Sequence, residues 1–298
     1  MRAALLFALK AVVGGGLLWF LTTRILLDDA LSIAGSLHPI IIAIAILFYL
    51  LAHAVNAAKL QLFLSGLSYW QAWRYTMIGV FYGTVLPGQL AGDAVKAVRL
   101  ARAQGSGDEG AAIAAVTVDK IVGLFALFLV VALAIALDAH TFGQAAVLTV
   151  TLATAGAIAV LAAVILLPVP AWFGRFGASI AAWRTVSMRP ATLSTALALG
   201  IVFQVLCVAI CMVLGENLNI DLSIGAWTVV MGFSSIVLLV PISIAGIGVR
   251  DASLIGAIGY LGGSEVGAFA MSLVLLAVNL SGAVVGLVVD LAGRDRAS

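Results

Sequence analysis

The sequence predicts an all-α integral membrane protein with an inverted-topology repeat. It would have six spanning helices plus two re-entrant helical hairpins, or eight spans if both hairpins cross fully. Three observations predict this. The 298 residues are 64% hydrophobic and 9% charged, whereas soluble domains carry about 25% charged residues. Six apolar runs reach the roughly 20 residues needed to cross about 30 Å of hydrocarbon. One interrupted pattern occurs twice, once in each half of the chain.

The first run, roughly 8–27, follows Arg2 and Lys10. No convincing small-residue cleavage site closes it, so it reads as a signal anchor that stays as a span. The second run covers roughly 39–62. Residues 73–104 hold the first interruption, Pro87-Gly88-Gln89-Leu90-Ala91-Gly92-Asp93-Ala94-Val95-Lys96. Two more runs follow, roughly 110–137 and 144–168. Segment 169–189 mixes Trp172, Phe173, Phe176 and Trp183 with Arg175 and Arg184; it reads as an amphipathic helix on the inner surface, or as a partly buried linker. The run at roughly 190–214 carries Cys207 and Cys211, four apart on one helix face, which read as packing residues without a disulfide. Residues 225–262 hold the second interruption, Pro241-Ile242-Ser243-Ile244-Ala245-Gly246-Ile247-Gly248-Val249-Arg250. The last run is roughly 265–290. A single transmembrane domain, 1–298, thus contains repeat 1 at about 39–137 and repeat 2 at about 190–290, joined by 138–189.

Both interruptions read P-x-x-[LI]-A-G-x-x-V-[KR]. Proline removes a helix hydrogen bond and clashes with the preceding turn, and the glycines that follow let the backbone turn sharply. Each copy therefore predicts helix, break, helix, with the breaks at Pro87, Gly88 and Gly92 and at Pro241, Gly246 and Gly248. The arms are about 12 to 16 residues, a length that suits re-entrant segments. Matched breaks in two halves are a sequence pointer to a transporter site near the midplane.

Loop charge sets orientation. Arg2 and Lys10, Lys59 and Arg74, Lys96 to Arg102, Arg175 to Arg189, and Arg294 and Arg296 all fall on one side if the termini are cytoplasmic. Asp28, Asp29, Asp138, Glu216 and Asp221 fall on the other. The first hairpin then enters from inside and the second from outside.

At the two breaks the sequence resembles the transmembrane region of lysylphosphatidylglycerol synthases, the flippase portion of multiple peptide resistance factors, and the stand-alone proteins built from it. Those proteins carry a P-x-x-x-G-G-D-x-x-R-like motif, matched here by Pro87 to Lys96 with lysine in the basic position. A later P-x-S-x-x-G-x-G-x-R-E-like motif is matched by Pro241, Ser243, Gly246, Gly248, Arg250 and Asp251, with aspartate for glutamate. An acidic-basic pair in the helix after the first motif is matched by Asp119-Lys120. The resemblance implies lipid translocation in a bacterial inner membrane. Synthase members carry a large cytosolic aminoacyl-transferase domain after this region; with the sequence ending at Ser298, the expectation is a stand-alone member without that activity.

An ionisable side chain at the bilayer centre costs roughly 2.5–3.5 kcal/mol on insertion scales, so such residues face a cavity or a partner. The expected site binds an anionic headgroup through Lys96, Arg99, Lys120 and Arg250 with Ser243, while Asp93, Asp119 and Asp251 neutralise the cations when it is empty. Positive-inside anchoring is the competing reading of Arg99 and the favoured one of Arg102. His53, Asn56 and Lys59, three apart, read as a snorkelling boundary. Gln204 and Asn279 read as interhelical hydrogen-bond partners.

The leading function is translocation of an anionic or phosphate-containing lipid or lipid-linked headgroup; an ion-coupled transporter of a small anionic solute is the alternative. An enzyme is not expected, because His38, His53 and His140 have no ligand spacing to one another. No cofactor, metal or nucleic acid is implied. The expected partners are membrane lipids of the anionic phospholipid or polyprenyl-phosphate type, and a homodimer is left open.

Overall fold

The computed structural model describes residues 27–64, 66–86, 89–104, 109–137, 189–238 and 248–294, with scattered positions between 142 and 184. Among the described residues all regular structure is helical. In chain order the helices are α1 (Leu27–Gly35), α2 (Pro39–Gln61), α3 (Tyr69–Val85), α4 (Gln89–Gln104), α5 (Glu109–Leu137), α6 (Pro190–Asn217), α7 (Ile224–Val237), α8 (Val249–Tyr260) and α9 (Glu265–Arg294).

Four of these are long and apolar enough to cross a membrane: α2, α5, α6 and Glu265–Ala292 of α9. They coincide with four of the six predicted spans. The other two, 8–27 and 144–168, lie wholly or mostly outside the described residues, as do Pro87, Gly88, Pro241, Ser243, Gly246 and most of 169–189. The first motif falls where α3 ends at Val85 and α4 begins at Gln89; α7 ends at Val237 and α8 begins at Val249 around the second. These four helices have 17, 16, 14 and 12 residues.

The chain divides into two compact units. One comprises Met1–Leu50, Met77–Gly92 and Leu206–Ser298. Within it α9 packs against α8 and α1, and α8 against α7. Ser223 caps α7, its hydroxyl accepting from the Ala226 N–H at 3.2 Å. Gly92 meets α3 backbone to backbone: a Cβ there would run into the Gly79 carbonyl and lie 2.7 Å from the Gly83 nitrogen. Backbone atoms cannot rotate away. Gly92→Ala is therefore expected to destabilise the fold by about 1–3 kcal/mol or more, read as a lowered unfolding temperature in detergent. Gly35→Ala, where a Cβ meets nothing within 4 Å, is the control and should stay near wild type.

The other unit comprises Leu51–Thr76 and Asp93–Val205. Its core is rich in alanine: Ala57, Ala97, Ala101, Ala112, Ala115 and Ala196 are buried among Leu60, Phe63, Leu100, Val118 and Val122. Small side chains let membrane helices approach closely. On α5 the buried face runs Ala112, Ala115, Asp119, Val122, Ala126, a spacing of three and four that keeps one stripe turned inward. That periodicity carries Asp119 into the interior. Lys120, one residue on, sits about 100° further round the helix and is partly exposed.

Candidate functional site

Five charged side chains meet in the second unit. Lys96 Nζ lies 3.1 Å from Asp93 Oδ1, one helical turn back on α4, and 3.5 Å from Asp119 Oδ2 on α5. Lys59 Nζ, from α2, lies 3.4 Å from Asp119 Oδ1. Lys120 Nζ lies 3.1 Å from Asp93 Oδ2. The charges alternate along a chain, Lys59–Asp119–Lys96–Asp93–Lys120. Three ammonium groups face two carboxylates, which leaves one positive charge in excess among these five. The inner members are almost sealed: the side chains of Lys59, Lys96 and Asp119 are 3–4% exposed, against 26% for Asp93 and 33% for Lys120. Gly123, one turn beyond Asp119, makes room for the Lys59 ammonium, which would stand 2.9 Å from a Cβ at that position. The Gly123 carbonyl accepts from Gln204 Nε2 at 3.2 Å, so Gln204 does bond between helices as the sequence suggests.

The structure corrects two sequence expectations here. Lys59 is not a snorkelling boundary residue: it is 3% exposed and ion-paired with Asp119. No apolar pattern on α2 marks it, because its partner lies on another helix. Asp119 and Lys120, adjacent on α5, point in different directions and pair with different residues. Asn279 donates to the Leu275 carbonyl of its own helix at 2.8 Å rather than across helices.

Arg99 is partly buried on α4. Arg102 is exposed, in keeping with an anchor. The ring of His53 meets Phe203 edge-on with centroids 6.0 Å apart.

The basic residue of the second motif belongs to the first unit. Arg250 and Asp251 open α8, with side chains 7% and 5% exposed. Gly248 precedes the helix at φ +81°, a left-handed conformation that glycine adopts without strain. Its N–H donates to Asp251 Oδ2 at 2.8 Å, which satisfies one of the free donors at the helix start and sets a carboxylate at the positive end of the dipole. The other oxygen, Asp251 Oδ1, accepts from Arg250 Nη2 at 3.1 Å and from the Ser272 hydroxyl of α9. Arg250 Nη2 also donates to the Ser272 carbonyl at 3.1 Å. Ser253 and Ser234 join α8 to α7 through their hydroxyls, 3.2 Å apart.

The two motifs thus treat their basic residue alike. Lys96 pairs with an aspartate of its own helix and reaches Asp119 on the long helix that follows; Arg250 pairs with its own aspartate and reaches Ser272 on the long helix that follows. Ser272 thus stands toward Arg250 as Asp119 stands toward Lys96. Sequence reasoning missed Ser272 and Lys59, and also Asp290, which is 1% exposed near the end of α9 and accepts from the Tyr82 hydroxyl at 3.2 Å. A carboxylate buried in a long apolar helix was the available signal for Asp290.

Long apolar helices that bury ion pairs between them define the class: an all-α integral membrane protein with an internal polar site. The family model for the lysylphosphatidylglycerol synthase TM region matches residues 7–286, and the chain belongs to that family. No curated protein matches it.

Proposed function

We propose that the protein translocates an anionic, phosphate-bearing lipid headgroup across a bacterial plasma membrane, acting by transport rather than catalysis. In this reading α3–α4 and α7–α8 are re-entrant hairpins in two repeats of opposite topology, set among six spans with both termini cytoplasmic. Helices of 12 to 17 residues fall short of the roughly 20 that a full crossing needs, which favours hairpins over eight spans. The observation that carries the function is the buried cluster with its excess of one lysine over its aspartates. Buried charge in a membrane helix is costly and marks substrate and ion pathways.

The test is reconstitution in liposomes with fluorescent phosphatidylglycerol, whose movement between leaflets is read by quenching from outside. Faster movement than in protein-free vesicles is expected. Lys96→Met is the informative variant, because removing Lys96 leaves two matched pairs, Lys59–Asp119 and Lys120–Asp93. The fold should persist while the excess charge and the transport are lost. Full transport by an inserted Lys96→Met protein would sink this reading. Uptake of radiolabelled inorganic phosphate without lipid movement would replace the lipid with a small anionic solute.

A further inference from the structure

The five charges of the cluster are not held equally. Asp119 is sealed between Lys59 and Lys96, and Lys59 would be stranded without it. Asp93 is different. Its two oxygens are divided between two lysines, one at 3.1 Å from Lys96 and the other at 3.1 Å from Lys120. Asp93 and Lys120 are also the two members with substantial exposure. Both reach the protein surface, so this pair can part without opening the sealed interior.

A phosphodiester resembles what Asp93 presents: one negative charge shared by two equivalent oxygens. We infer that Asp93 is a displaceable internal stand-in for a phosphodiester, which enters by taking Lys96 and Lys120 while the Asp93 carboxylate turns to solvent. One monoanion replaces another, so the charge among the lysines does not change and neither lysine is left bare during the exchange. Lys96 and Lys120 contact the ligand, Asp93 competes with it, and Asp119 and Lys59 are positioning residues. The lipid source of the phosphodiester rests on the translocase reading; the exchange itself applies equally to a free phosphodiester.

The experiment uses the intact protein in dodecyl maltoside micelles, which hold no phosphate. Carboxylates are labelled with a water-soluble carbodiimide and glycine amide and mapped by mass spectrometry, with dimethyl phosphate as the soluble probe and phosphatidylglycerol as the lipid probe. Displacement frees Asp93 from its lysines, so either probe is expected to raise Asp93 labelling severalfold and leave Asp119 unchanged. Asp93→Asn should bind dimethyl phosphate about tenfold more tightly, the effect of removing a competing charge-assisted contact, and Lys120→Ala should lose the labelling response. Unchanged or reduced Asp93 labelling with both probes overturns the exchange, and so does weaker binding by a folded Asp93→Asn protein. Wild-type labelling alone decides if that variant does not fold. A response to dimethyl phosphate with no movement of phosphatidylglycerol in liposomes supports the exchange and overturns the translocase reading alone.

Discussion

Asp119→Ala is expected to be the most damaging single substitution in the protein, with a loss of about 3–5 kcal/mol of stability. The carboxylate stands between the ammonium groups of Lys59 and Lys96, which are each 3% exposed. Removing it leaves two like charges facing one another in an apolar interior, with only Asp93 to offset Lys96. The measurement is the unfolding midpoint in detergent, together with the yield of monodisperse protein. The triple variant Lys59→Met, Lys96→Met, Asp119→Ala isolates the cause. Replacing a whole buried ionic group by apolar residues of similar volume is often neutral or stabilising, so the triple variant should recover most of what Asp119→Ala loses. A triple variant as unstable as the single one would mean that Asp119 acts through something other than its neighbouring charges.

Arg250→Ala is expected to cost a similar amount, about 3–5 kcal/mol, and for a related reason. Arg250 Nη2 holds both Asp251 Oδ1 and the Ser272 carbonyl at 3.1 Å, and Asp251 in turn holds the start of α8. Without the guanidinium, a buried carboxylate keeps only the Gly248 N–H and the Ser272 hydroxyl. Arg250→Lys should restore part of the loss, because an ammonium supplies charge without the planar fork that serves two acceptors. The sequence alone casts Arg250 as a headgroup ligand. Its geometry gives a different expectation: the alanine variant loses stability first. A stable, inserted, inactive Arg250→Ala protein would return Arg250 to the binding role. Stability and transport measured on the same preparation decide between the two.

Much of the architecture was legible. Apolar runs located α2, α5, α6 and α9 because a span is long and its signal is continuous. Proline and glycine located the junctions between α3 and α4 and between α7 and α8. The motif offset picked out Lys96 and Arg250 as a pair, and both are buried next to an aspartate of their own helix. What stayed hidden was pairing across helices. Asp119 and Lys120 are adjacent in sequence, yet the 3.6-residue period sends them to different partners. Lys59 lies far from Asp119 along the chain, and nothing on α2 announces that its ammonium is buried. Ser272 is one neutral hydroxyl among many; only the approach of α8 to α9 gives it two charged neighbours.

The seam at Gly92 bears on movement. Where two backbones touch with no side chain between them, one strand of the seam cannot slip past the other: a shift of one residue would drive a Cβ into the Gly79 carbonyl. Around this point Met77–Val85 and the start of α4 are locked together. On the proposed transport reading, a reversible cross-link placed across that seam should leave transport intact.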